Sequence, residues 1–348
     1  MNPRIAAAQA ALNRLTGAGL TVDGQYGPKM RRAVAAFQAS RRLKADGLLG
    51  PKTYAALGVG ATPSIPIPPP SRPAAGPVPP ESTESDPPQT TLYFRMPTGG
   101  EGGSKPLTAV YFPANFQPSD TIDCIVWFQG HHRGEPNLSI DRYLSGKWIS
   151  YFKFREALND TGRPFVLIAP TLGPRSQAGS LTNPGGFDAW LSRVLSSLSL
   201  SGPLQGRTPK LGNLILSCHS GGGVPMRSAA LNTVKFASNL RECWGFDCMY
   251  NGNDPAEWRK WAQSNPDKKL FVYWASTTRN YSTALQNFAQ PNISIQHSST
   301  NEHNRVPITY WSERIMGFNG PASGFELTTT GGLFPAPGMV LDLPGIYT

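Results

Sequence analysis

Cysteine is scarce: four in 348 residues, too few for a fold held together by disulfides. Cys124 and Cys218 lie in apolar runs and read as small buried residues. Cys243 and Cys248 flank Asp247 closely enough for a local bridge, with reduced thiols the expected state. Histidine is nearly as scarce, at five. Only His131 and His132 adjoin, and no carboxylate or third histidine stands at ligand spacing from them, so neither a metal nor a cofactor is expected. No segment approaches the roughly eighteen consecutive apolar residues that span a bilayer. The N-terminal stretch MNPRIAAAQAALNRL lacks the apolar centre of a signal peptide and is amphipathic instead. The expectation is therefore a chain made in the cytoplasm, with no cleaved signal and no transmembrane segment. No zinc-finger or RNA-recognition signature accompanies the basic residues, which argues against nucleic acid as a partner.

What is present is unevenly spread. The formal net charge is +10, and residues 1–60 carry nine Lys/Arg against two Asp/Glu. That excess favours an anionic polymer such as a cell wall or an anionic glycan. The same stretch contains an internal repeat: Asp23-Gly24-Gln25-Tyr26-Gly27-Pro28-Lys29 returns as Asp46-Gly47-Leu48-Leu49-Gly50-Pro51-Lys52. Each copy supplies turn glycines and then a proline suited to the first position of a helix. Met30, Ala33, Val34 and Phe37 follow at helical spacing, Ile5, Ala8, Leu12 and Leu15 form a matching stripe before them, and Tyr54 to Leu57 open a third helix. The pattern DGxxGPK…AVAAFQ…DGxxGPKTYAAL over residues 4–58 closely resembles the peptidoglycan-binding domain type 1 module. That resemblance implies a non-catalytic three-helix domain, residues 1–60, whose partner is peptidoglycan or the bacterial cell envelope.

Eleven prolines lie between Pro63 and Pro88. This composition cannot build a core and favours extended polyproline II, so residues 61–89 read as a stiff linker. Residues 90–348 read as one domain containing all eight tryptophans. Strands are expected at 91–96, 107–113, 122–129, 164–169, 211–217, 241–247, 269–275 and 292–297, with helices at 184–198, 222–231, 255–263, 280–288 and 306–315. Strands that alternate with helices imply an α/β fold, a mostly parallel sheet covered by helices on both faces.

The chemistry concentrates in residues 211–231, LGNLILSCHSGGGVPMRSAAL, which read as a buried strand, a sharp turn and a helix. Gly221, Gly222 and Gly223 permit a tight backbone path. Ser220 on such a turn projects its hydroxyl over the C-terminal edge of the sheet, and the Gly221 N–H can face a developing oxyanion. The segment resembles the nucleophile elbow of an α/β-hydrolase, with Cys218 in place of the first glycine of G-x-S-x-G. The order nucleophile, acid, histidine then selects the partners. His219 adjoins the serine and should point elsewhere, and His131 and His132 precede it. His303, in the loop before the last helix, is the expected base, with His297 the alternative. Asp247 ends the strand after the elbow and is the expected acid. Asp254 precedes Pro255 and reads as a helix cap. Gln129 or Gly130, after the third strand of the domain, could supply a second oxyanion N–H.

The elbow, the acid after the following strand and the late Glu302-His303-Asn304 segment resemble α/β-hydrolases over roughly residues 105–315. Joined to a wall-binding module, the architecture is similar to the lysin B esterases of mycobacteriophages. That implies a serine esterase acting on an ester of the cell envelope without a cofactor, reaching it by phage-lysin-like release or non-standard export. A wall amidase or peptidase using the same Ser-His-Asp set, and a non-catalytic wall-binding or phage structural protein with a lapsed hydrolase fold, are the alternatives.

Overall fold

The computed structural model describes residues 3–59, 76–86, 89–132, 137–144, 153–288 and 290–318. The chain divides into two compact units, Met1–Pro73 and Ala74–Thr348. Most of the proline-rich stretch, residues 60–75, lies outside the described residues.

Among its described residues the first unit has three helices, α1 (Pro3–Thr16), α2 (Pro28–Ser40) and α3 (Pro51–Ala56). Ala8, Leu12, Met30, Val34, Phe37, Tyr54 and Leu57 form its core. Leu15, expected on the buried stripe, is 42% exposed. Leu20 takes its place, because Asn13 holds the turn back against α1 by donating to the Leu20 carbonyl (2.8 Å) and accepting from its N–H (2.7 Å). The repeat has a physical reason. Gln9 accepts from the Gly24 N–H (2.8 Å) and donates to Asp23 (2.7 Å). Gln38 does the same for the second copy, accepting from Gly47 N–H (2.8 Å) and donating to Asp46 (3.0 Å). Each Asp-Gly turn is thus clamped by a buried glutamine on a preceding helix, with the glycine at positive φ (68° and 70°).

Among its described residues the second unit has nine strands: β1 (Ser82–Asp86), β2 (Gln89–Arg95), β3 (Leu107–Phe112), β4 (Thr121–Phe128), β5 (Val166–Pro170), β6 (Lys210–His219), β7 (Leu240–Phe246), β8 (Lys269–Trp274) and β9 (Ile293–His297). They form one sheet in the order β1-β2-β3-β5-β4-β6-β7-β8-β9. The pairs among β1, β2, β3 and β5 are antiparallel, and every pair from β5 to β9 is parallel. The sheet begins earlier than the sequence suggests, since β1 lies inside the stretch expected as linker. Its residues STESD carry no apolar alternation because β1 is a solvated edge strand, where charge protects against further pairing.

The helices are α4 (Ile140–Tyr143), α5 (Phe154–Asp160), α6 (Gly186–Ser197), α7 (Gly223–Asn232), α8 (Asp254–Ser264), α9 (Arg279–Gln286) and α10 (Val306–Met316). The short α4 and α5 were not anticipated from the sequence, having too few turns to establish a periodicity. Side chains alternate across the sheet. Cys124, Val126 and Phe128 of β4 join the core containing Trp190, Met226 and Trp258, from α6, α7 and α8. Ile125 and Trp127 join the opposite core, with Phe154 of α5 and Trp311 of α10. Trp127 is fully buried, 4.2 Å from the Phe154 ring and 5.5 Å from that of Trp311. With both faces covered, chemistry is left to the loops at the strand ends.

Replacing Gln38 by Ala should leave the buried Gly47 N–H without its acceptor and cost the first unit about 2 kcal/mol. Calorimetry of the full chain should show the transition of the first unit shifted down while that of the second is unchanged.

Candidate active site

Parallel strands bring their C-terminal ends to one edge. Cys218 of β6 pairs with Phe128 of β4 and Gly245 of β7, and Trp274 of β8 pairs with His297 of β9. The residues just beyond these pairs gather there: Gln129 and Gly130, Ser220, Asp247, Ala275 to Thr278, and the loop that carries His303.

Ser220 follows β6 with φ of 52° and is 7% exposed. A left-handed conformation at a non-glycine residue costs of order 1–3 kcal/mol and persists only where the surroundings enforce it. Here they do. A side chain on Gly222 would collide with the carbonyl oxygens of Phe128 and Gln129, one on Gly221 with the His131 imidazole, and one on Gly223 with the Cys248 backbone. The departure at Cys218 is compensated on the next strand. Gly245, in register with Cys218, has no side chain, and the Cys248 thiol occupies that space; a Cβ on Gly245 would lie 2.6 Å from its sulfur. All four cysteines are free and buried, so the possible Cys243–Cys248 bridge is absent, and the Cys248 thiol faces Cys218.

Asp247 is fully buried, with φ of 44°. Its Oδ2 lies 2.5 Å from His303 Nδ1 and accepts from the Thr277 hydroxyl at 2.7 Å. Its Oδ1 accepts from the Ala275 N–H at 2.9 Å and from the Thr278 hydroxyl. Burial pushes this carboxyl up, but His303 and the three other donors outweigh it and bring it down to about 2, so it is ionised at neutral pH. Thr277 and Thr278 lie at the end of β8, where the sequence offers no carboxylate. The polar Ser276-Thr277-Thr278 run after an apolar strand was the available signal.

His303 begins a single 3₁₀ turn ahead of α10. Its ring packs 4.4 Å from that of His219, whose Nε2 lies 3.1 Å from the His303 carbonyl. His219 therefore turns from the serine beside it toward the His303 loop. Burial, with the His303 imidazole alongside, lowers its pKa to about 3, so it stays neutral and donates to that carbonyl. His297 ends on the exposed face of β9, its ring 4.3 Å from that of Trp274, while Asp247 is engaged by His303. Asp254 pairs instead with Arg227, which also holds Glu257 at 2.6 Å.

Gly130 packs against the serine; a Cβ there would lie 2.8 Å from that of Ser220. Burial raises the Tyr143 hydroxyl, opposed by the Gly130 N–H that faces it. The Gln129 carbonyl accepts from Ser176 (3.1 Å), a buried residue with φ of 57° that lay unmarked in a polar loop. The two adjacent histidines diverge: His132 Nε2 approaches the Leu172 carbonyl at 3.4 Å, and His131 lies over Gly221. Among the described residues, no group of three His, Cys, Asp or Glu side chains could hold a metal ion. No helix among them is long and apolar enough to cross a membrane.

An eight-strand order with one exchange after the first two strands, a serine at positive φ after the fifth and a histidine after the eighth defines the second unit, beyond its edge strand, as an α/β-hydrolase fold. Residues 1–57 match the family model described as "Putative peptidoglycan binding domain". The chain is similar to a zinc D-Ala-D-Ala carboxypeptidase of Streptomyces albus G, 51% identical over 39 residues, which is 11% of this chain and 15% of that protein. It is also similar to an uncharacterized protein in the bpoA1 3' region of Kitasatospora aureofaciens, 49% identical over 45 residues, covering 13% of this chain and 38% of that one. The chain thus spans well under half the length of either curated relative. Among solved structures, an S-formylglutathione hydrolase from Agrobacterium tumefaciens superposes with a TM-score of 0.44 at 13% identity, covering 68% of this chain and 97% of that one. A thermostable esterase does so at 0.39 and 12% identity, covering 65% and 59%.

Because His219 is neutral when folded, with a pKa of about 3 against an ordinary 6.5, the unfolded chain binds one more proton between those values. Its contribution is intact above pH 6.5 and is lost on acidification at up to about 1.4 kcal/mol per pH unit. Urea titrations between pH 6 and 4 should show His219→Gln losing stability less steeply than the wild type.

Proposed function

We propose that this chain is a cell-wall-directed serine esterase. The observation that carries the reading is the 2.5 Å contact of His303 Nδ1 with the buried Asp247 carboxylate, at the sheet edge where Ser220 is held in a strained turn. Asp247 fixes the tautomer with the proton on Nδ1, leaving Nε2 as the base. Ser220 attacks the ester carbonyl and passes its proton to His303. The imidazolium is stabilised by Asp247, and the developing oxyanion by the Gly221 and Gln129 N–H groups, since the Gly130 N–H is directed at the Tyr143 hydroxyl. The alcohol leaves with the proton from His303. Water, activated by the same histidine, then releases the acid and restores the serine.

The wall-directed half of the reading is supported by the match of residues 1–57 to the peptidoglycan-binding family and by the basic excess of that segment. Tethering raises the effective concentration of the hydrolase at an insoluble substrate without altering its chemistry. An ester of the envelope is the substrate class this pairing favours.

Ser220→Ala and His303→Ala should each lower turnover of p-nitrophenyl esters by at least about 10⁴-fold, and Asp247→Asn by a similar factor through the wrong tautomer. Melting curves should stay close to wild type for the serine variant. Retained activity in His303→Ala, with loss in His297→Ala, would move the base to His297. Release of peptides from purified wall without ester cleavage would favour the amidase alternative.

A chain lacking residues 1–73 should hydrolyse a soluble ester at the full-length rate but act more slowly on intact envelope. The full chain should sediment with peptidoglycan, less so as salt shortens the Debye length below about 10 Å. Equal loss on both substrates would show that the first unit is part of the enzyme itself.

A further inference from the structure

Tyr250 stands three residues beyond Asp247 with its ring half exposed and edge-on to His303, centroids 6.3 Å apart. Its hydroxyl lies 3.5 Å from His303 Nδ1, and the Ser220 and Thr277 side chains stand close enough to hydrogen-bond with it. The Thr277 proton is committed, because that hydroxyl donates to Asp247 at 2.7 Å. The His303 Nδ1 proton is committed to the same carboxylate at 2.5 Å. Neither His303 Nδ1 nor the Thr277 hydroxyl therefore has a proton to offer the serine oxygen. Burial and the nearby Asp247 charge raise the phenol to about 12, against the lowering effect of Ser220 and Thr277, so it keeps its proton throughout the neutral range.

We propose that Tyr250 is a further catalytic residue, whose phenolic O–H donates to the Ser220 oxygen while the acyl-enzyme breaks down. The inference rests on the esterase reading above. In the free enzyme Ser220 carries its own proton and can donate. Once acylated, its oxygen has no proton and can only accept, which leaves Tyr250 as the donor. Water attacks the acyl carbon and gives a proton to His303. The bond from that carbon to the serine oxygen then breaks with its electron pair going to the oxygen, which takes the proton back from His303. Tyr250 keeps its own proton and stabilises the charge that gathers on the departing oxygen. Acylation, in which the serine oxygen is the nucleophile, gains nothing from this donor.

The test is Tyr250→Phe in the full chain, which removes one oxygen and keeps the ring. With p-nitrophenyl butyrate the nitrophenolate leaves easily, so steady-state turnover reads deacylation. The variant should show kcat down by roughly tenfold, the worth of one hydrogen bond. KM should fall by a similar factor and kcat/KM stay within about twofold. Stopped flow should show a nitrophenolate burst approaching one equivalent, and labelling by a fluorophosphonate should proceed at the wild-type rate. Unchanged kcat, or kcat and kcat/KM falling together without a burst, would overturn the role of Tyr250 alone. Undiminished turnover by Ser220→Ala in the same assay would overturn the esterase reading itself.

Discussion

An ionised carboxylate sealed inside a protein costs several kcal/mol unless donors surround it, and Asp247 meets that condition with four of them. The donors come from separate places: a backbone N–H and two hydroxyls at the end of β8, and an imidazole from the loop after β9. Satisfying one charge therefore determines where two segments run. The His303 loop is drawn in across the sheet edge, where His219 holds its carbonyl and Tyr250 stands edge-on to its ring. A missing donor would leave a buried charge unpaired, so the geometry around the serine is secured by the electrostatics of the aspartate.

The same edge concentrates backbone strain. Of the four non-glycine residues at positive φ among those described, Ser176, Ser220 and Asp247 all belong to it. Strain of this kind survives because the strands beneath are buried on both faces, by the Trp127, Phe154 and Trp311 cluster on one side and the Trp190 and Trp258 core on the other. The elbow shows how such a site tolerates an unusual residue. The volume that a glycine leaves free before the serine in G-x-S-x-G is here recovered at Gly245, one strand away, so that the side chains of Cys218 and Cys248 fit.

The first unit solves a different problem. A core of nine buried side chains among the described residues is small, and a domain of this size has little apolar area to spare. Its turns are instead held by buried glutamines that answer both the N–H and the carboxylate of each Asp-Gly pair. The arrangement leaves the basic residues free for the surface. Lysine and arginine outnumber aspartate and glutamate by nine to two in residues 1–60.

Strand and helix positions from β2 onward were legible because two-sided burial writes continuous apolar runs, and helices on such a sheet write a 3.6-residue period. The Asp-Gly repeat and the serine turn were legible for a similar reason, since tight turns demand glycine. The polar edge strand β1 and the short helices α4 and α5 left no such mark. Within the site, Ser220, Asp247 and His303 could be nominated from chain order and the cost of a buried charge. Which histidine faces Asp247, that Thr277 and Thr278 share it, that His219 turns to the His303 carbonyl, and that Tyr250 reaches the serine were decided by the tertiary structure alone. Those contacts join residues 30 to 84 positions apart along the chain, and local sequence carries no period or motif for a pairing that exists only once parallel strands align their ends.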